Sequence, residues 1–222
     1  MARAFSIPGV SLLACAFLLS LLVSISLPFL PPIDVVRTNF QGQVNQGNVF
    51  LHQVRLGIWA PCAYAVDGTK ICGHEGHGYK VTIFKANDLS KFAIIKPAWT
   101  RGLAVHPVAA GAILIALLLS FSNNMTMTFW ALLTSFLAAL LTLIAFAIDI
   151  ALFALVRSAL NDLNIGANTH TSSAFWMTFV SLILLIASGY LIIVARRRES
   201  GASSSYPMSK ATGGFFSRLR QN

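Results

Sequence analysis

Four side chains able to hold a metal or react with one another lie close together: Cys62, Cys72, His74 and His77, spaced C-x9-C-x-H-x-x-H. Zinc accepts thiolate and imidazole ligands in tetrahedral sites, but the close C-x2–4-C pair usual there is missing. Two thiols in an oxidising compartment pair with each other instead. Asp67-Gly68, midway between the cysteines, is a strong turn signal, so Cys62 and Cys72 can close a strand–turn–strand hairpin. A staple around a loop of this size contributes about 2–3 kcal/mol in the chain-entropy view. We expect a Cys62–Cys72 disulfide and no metal site. His74-Glu75-Gly76-His77 is one residue too short for the metalloprotease H-E-x-x-H and lies among glycines. No Ser/His/Asp set, phosphate-cradling glycine loop or carboxylate pair stands out. The expectation is therefore no catalytic residue, no cofactor and no enzyme.

Asp149 is the one charge within a long apolar run. Ionisable residues at such places cost roughly 2.5–3.5 kcal/mol at mid-membrane on insertion scales, and usually face a bundle interior or reach towards water. No second acid or base within a run suggests a transport pathway, so a channel or transporter is disfavoured. His52, His74, His77, His106 and His170 all fall outside the runs or at their outer ends, and are expected to be exposed. Histidine titrates near pH 6.5, which makes these rings candidates for direct pH sensing. The third cysteine, Cys15, lies in an apolar run and is expected to be a small buried hydrophobe, with palmitoylation as the alternative.

The elements carrying these residues are set by composition. The chain has 222 residues, 56% of them hydrophobic and only 10% charged. Soluble domains carry about 25% charged residues, so a water-soluble globule and a disordered chain are both excluded. The net charge of +9 flanks apolar runs, which argues against nucleic acid as partner and for membrane lipids. A bilayer core needs roughly 20 apolar residues in a helix. The expected organisation is residues 1–8 as a cytoplasmic start, 9–30 as the first span and 31–104 as an extracellular loop. Residues 105–121 form the second span, 122–126 a cytoplasmic turn and 127–156 the third span. Residues 157–174 form a second extracellular loop, 175–195 the fourth span and 196–222 a basic cytoplasmic tail. Cleavage after Ser24-Ile25-Ser26 is the alternative for the first span.

Arg196, Arg197 and Arg198 end the fourth run, and Lys and Arg beside a span favour the cytoplasmic side. Arg218 and Arg220, near Phe215-Phe216, suit an anionic inner leaflet. Residues 31–101 are also basic, eight Lys/Arg against four acids, but long segments translocate largely regardless of charge. Asn124-Met125-Thr126 matches a glycosylation sequon that this topology keeps inside. Residues 49–59 and 79–84 read as strands, the second with Tyr79, Val81 and Ile83 on one face. Small residues recur every fourth position, as in Ala16, Ser20 and Ser24, or Ala131, Ser135 and Ala139. Such stripes serve close helix packing inside the bundle or docking of a partner, including a second copy.

Gly57-x-Trp59-x-x-Cys62 followed by Cys72 resembles the claudin superfamily signature. The stretch Leu103-x-x-His106-Pro107-x-Ala109-x-Gly111 is similar to the fungal Sur/PalI family within it, closest to the pH-response branch. The resemblance covers about residues 5–197. No Trp lies between residues 31 and 58, so tight-junction strands are not implied. What the resemblance implies is a claudin-like bundle of four transmembrane helices with a small extracellular antiparallel sheet. Trp59 would anchor that sheet at the membrane, and His106-Pro107 would set the start of the second span. The implied function is non-enzymatic: support at the plasma membrane for the localisation or assembly of a seven-span pH-sensor receptor. Organisation of membrane microdomains of the eisosome type, with effects on the cell wall, is the alternative.

Overall fold

The computed structural model describes residues 3–40, 44–46, 49–76, 78–85, 88–122, 125–163 and 165–203. Four long helices carry more than half of the described residues: α1 (Arg3–Ser24), α3 (Val105–Ser120), α4 (Met125–Asn161) and α5 (Ser173–Ser203). A short helix α2 (Pro97–Thr100) and a 3-10 turn (Arg101–Ala104) lead directly into α3. Helix α1 packs against α3 and α5, and α4 packs against the same two, so the four close a ring.

Among the described residues, three stretches are long and apolar enough to cross a membrane: Pro97–Ser120, Phe129–Asn161 and Ser173–Val194. The apolar part of α1, Pro8–Ser24, is shorter; at 1.5 Å per residue it reaches about 25 Å, against a bilayer core of roughly 30 Å. This differs from the expected span over 9–30. Past Ser24 the chain turns, passes the cis Leu27-Pro28 bond, and Leu27 N–H donates to Ile33 O instead of continuing the helix. Outward positions of the helices are apolar, among them Leu18, Leu118, Phe136, Ile144 and Ile186, all half or more exposed. Such a coat has no use in water and suits hydrocarbon.

The segments between α1 and α2, and between α4 and α5, build one sheet at one end of the ring. Its strands are β1 (Val36–Asn39), β2 (Val44–Gln46), β3 (Val49–Leu56), β4 (Pro61–Ala65), β5 (Lys70–Cys72), β6 (Val81–Lys85), β7 (Asp88–Ile95) and β8 (Asn168–Thr171). The order is β5-β4-β3-β2-β6-β7, and a branch runs from β3 through β1 to β8. All pairings are antiparallel. The strand expected over 49–59 ends at Leu56, and the one expected over 79–84 begins at Val81. Tyr79 lies just before that strand and is buried with Val81 and Ile83. The expected second loop contributes β8 to the sheet, and α4 runs five residues past 156 to Asn161. The reason is packing. Leu152, Val156 and Leu160, four residues apart on one face of α4, are buried in the same cluster as Val54, Val81, Ile83 and Ile95 of the sheet.

The small-residue stripes turn inward. Ala16, Ser20, Ser24, Ala131 and Ser135 are buried. The Ser20 and Ser181 hydroxyls lie 2.9 Å apart, and Ser181 Oγ donates to Ala16 O at 3.1 Å, which ties α1 to α5. For these positions internal packing accounts for the pattern. The sequon residue Asn124 lies outside the described residues.

Candidate functional site

Cys62 and Cys72 face each other across β4 and β5 and are joined as a disulfide. The turn between those strands is the one that Asp67-Gly68 announced: Thr69 N–H donates to Asp67 Oδ1 at 2.9 Å, and Ala65 N–H to Thr69 O at 2.9 Å. The Thr69 hydrogen bond holds the Asp67 carboxyl below its usual range. With both sulfurs bonded to each other, neither is available to a metal as thiolate. His74 is exposed, and His77 lies outside the described residues.

The loop between β3 and β4 carries Gly57 and Trp59 and fastens the sheet to the end of α1. Trp59 Nε1–H donates to Ser24 O at 2.7 Å, satisfying a carbonyl in the last turn of that helix. Ile58 N–H donates to Ser26 Oγ at 3.0 Å. Gly57 is packed against Leu27 so closely that a Cβ there would overlap Leu27 Cβ and stand 3.0 Å from Leu27 O. Only a residue without a side chain fits. Tyr79 Oη–H donates to Gly57 O at 2.6 Å from the buried side, and its burial pushes the hydroxyl pKa up. Trp59 O accepts the Gly76 N–H at 3.0 Å, and Pro61 O accepts the Gly73 N–H at 2.8 Å. The disulfide thus closes a hairpin whose base is bonded to the end of α1 through Trp59 and to the turn after it through Ile58, with Gly57 packed on Leu27.

The Asp34–Arg37 pair makes a second fastening. Arg37 forks onto the buried carboxylate, with Nη2 2.7 Å from Oδ1 and Nε 3.1 Å from Oδ2. These hydrogen bonds raise the Arg37 pKa further. The backbone beside it is stitched to the start of α5: Ser172 N–H donates to Val35 O and Ala174 N–H to Asp34 O, both at 3.1 Å.

Below the sheet lies a buried polar cluster. Asp149 on α4 is fully buried, so it faces the bundle and does not reach water. Its Oδ2 is 3.2 Å from His106 Nε2 on α3. His106 Nδ1–H donates to Leu103 O at 3.0 Å, and Thr178 Oγ1 on α5 is 3.5 Å from Nε2 while donating to Ala174 O at 3.0 Å. Asp149 Oδ1 is buried with no hydrogen-bond partner among the described residues. Two expectations are corrected here. His106 is not exposed, because the 3-10 turn carries it inside the helix ring. Asp149 is also not alone, because His106 supplies the second ionisable group. The arrangement brings an imidazole and a carboxylate together in the buried interior and joins three helices through them.

Pro107 is the third residue of α3, within the first turn, where its missing N–H breaks no helical bond. Gly111 is exposed and a Cβ there would meet nothing within 4 Å, so no close approach explains it. Arg196, Arg197 and Arg198 lie on the last part of α5, while Arg218 and Arg220 fall outside the described residues. Sequence reasoning missed Thr178, Tyr79, Thr100, Ser24, Ser26 and the Asp34–Arg37 fork. Only the last had a local signal, an acid and an arginine three residues apart beside a proline pair.

No curated protein matches the chain. A model of the SUR7/PalI family matches residues 5–188, which takes in the joint, the disulfide hairpin and the His106–Asp149 cluster. That match covers most of the 222 residues. The chain, a membrane protein with long apolar helices and a small antiparallel sheet, belongs to the SUR7/PalI family.

Proposed function

We propose that this chain is a non-enzymatic plasma-membrane protein that supports ambient-pH signalling by helping a seven-span pH-sensor receptor to assemble or to stay at the cell surface. In this reading all four long helices cross the bilayer. Both termini are cytoplasmic, and the stapled sheet faces outward. The chain bears on the outer leaflet through the sheet and on inner-leaflet lipids through the basic tail.

The observation that carries the reading is the family match over residues 5–188. The joint supports it, because a sheet bonded to the end of α1 and the turn after it through Trp59 and Ile58 presents a fixed outer surface to a partner. The positions of the helix ends support the topology. The α1 C-terminus, the α3 N-terminus, the α4 C-terminus and the α5 N-terminus all meet the sheet, leaving the other ends of these helices at the opposite end. Arginines 196–198 then lie on the side where positive charge is retained.

Affinity purification from membranes tests the role. A seven-span receptor should co-purify with the wild-type chain and be lost with Trp59→Ala. Growth at alkaline pH separates this role from microdomain organisation, which the same family match also favours. A deletion strain rescued by a constitutively processed transcription factor supports signalling. A strain with unrescued wall defects supports the organising role.

A further inference from the structure

Lys80, Lys96 and Arg101, three exposed cations, lie in the segments that join the sheet to the helix ring. Val81 and Ile95 are the last ladder pair at that end of β6 and β7. Lys80 precedes the first and Lys96 follows the second, so two lysines flank the ladder on facing strands. Thr100 Oγ1–H donates to Tyr79 O at 2.9 Å. That bond fixes the residue beside Lys80 against the residue beside Arg101. Gly78, with φ +77°, lies beneath the Arg101 side chain: a Cβ there would stand 2.5 Å from Arg101 Cγ and 3.0 Å from Nε. Lys80, Lys96 and Arg101 are all exposed, and none has an ion-pair partner among the described residues. Like charges on facing segments destabilise each other, and the Val81–Ile95 ladder end sets Lys80 and Lys96 on opposing segments. An anion between them would relieve that repulsion.

Position points to the anion. Lys96 immediately precedes Pro97, the first residue of the apolar stretch Pro97–Ser120. Trp99, half-buried in the first turn, is of the type that concentrates at the boundary between membrane and water. Lipid headgroup phosphates lie at that level.

We propose that Lys80, Lys96 and Arg101 form a binding site for the phosphate of an anionic lipid headgroup in the leaflet that the sheet faces. The inference rests on the spanning arrangement proposed above. The site is separate from the tail arginines, which lie at the opposite end of α5.

The full chain reconstituted in nanodiscs of phosphatidylcholine with phosphatidylglycerol provides the test, with retained lipid read by native mass spectrometry. Wild type should retain phosphatidylglycerol over phosphatidylcholine. The variant Lys80→Gln/Lys96→Gln/Arg101→Gln should lose that preference by roughly fivefold per removed charge. The double variant Lys80→Gln/Lys96→Gln leaves Arg101 on Gly78 and should show the two-charge drop, which covers the case of a triple variant that fails to fold. Introducing the same changes into Arg196→Gln/Arg197→Gln/Arg198→Gln should give the same drop again. Unchanged retention in the rim variants overturns the site, as does full displacement of the lipid by inorganic phosphate. Protease protection of the helices in liposomes reads the spanning arrangement on its own. Intact protection without lipid preference removes the rim alone, and lost protection removes both.

Discussion

The imidazole of His106 and the carboxylate of Asp149, 43 residues apart in sequence, meet at 3.2 Å in the interior of the helix ring. Each is the other's only ionisable neighbour within hydrogen-bonding reach among the described residues. Removing one partner of such a buried pair costs about 3–5 kcal/mol, whereas replacing both with apolar residues is often neutral. His106→Leu and Asp149→Leu should each lower the thermal midpoint in detergent by several degrees. The double variant should be more stable than either single one. A double variant whose loss equals the sum of the two would show that the pair is not coupled.

Gly57 and Gly111 both belong to the family-like motifs, and they should respond in opposite ways. Gly57→Ala drives a methyl group into Leu27 and should cost about 1–3 kcal/mol, seen as a lower unfolding midpoint. Gly111→Ala meets open space on a helix and should be neutral, or stabilising by up to about 1 kcal/mol. Equal effects at both positions would remove the close-approach explanation for Gly57.

The Cys62–Cys72 bond staples a hairpin in a segment we place outside the membrane. Impermeant maleimide on intact cells should label neither cysteine until a reductant is added. Cys62→Ala/Cys72→Ala should lose about 2–3 kcal/mol of stability. Labelling of either thiol without reduction would contradict the bond.

Tyr79 makes the sheet–helix joint sensitive to alkali. Its folded-state pKa lies above the ordinary value of 10.0 because burial disfavours the phenolate. The folded state therefore keeps its proton where the unfolded chain loses it. The contribution is complete below about pH 10 and declines as pH rises beyond that. Tyr79→Phe should lose about 1 kcal/mol at neutral pH, the bond to Gly57 O being gone. Its stability should then fall less steeply than that of wild type above pH 10, as read by chemical unfolding across pH 8–11.

Apolar run length is a local property, so the helices over 105–120, 125–161 and 173–203 were legible in the sequence apart from their ends. The disulfide was legible for the same reason, since a turn signal between two nearby cysteines needs no distant partner. Strands β1 and β8 were not. Val36–Asn39 and Asn168–Thr171 are short and largely polar, and they become strands by pairing with each other across more than a hundred residues. Nor did Gly57 reveal that Leu27 would press against it, or Asp149 that His106 would turn inward. Those contacts depend on which helix faces are buried together, and a chain encodes that only through packing of the whole ring. The sequence by itself determined that long apolar stretches exist and roughly where they lie. Only the folded molecule decided which polar groups inside and beneath the sheet would find one another, because a buried hydrogen bond is satisfied by position in space rather than by neighbours along the chain.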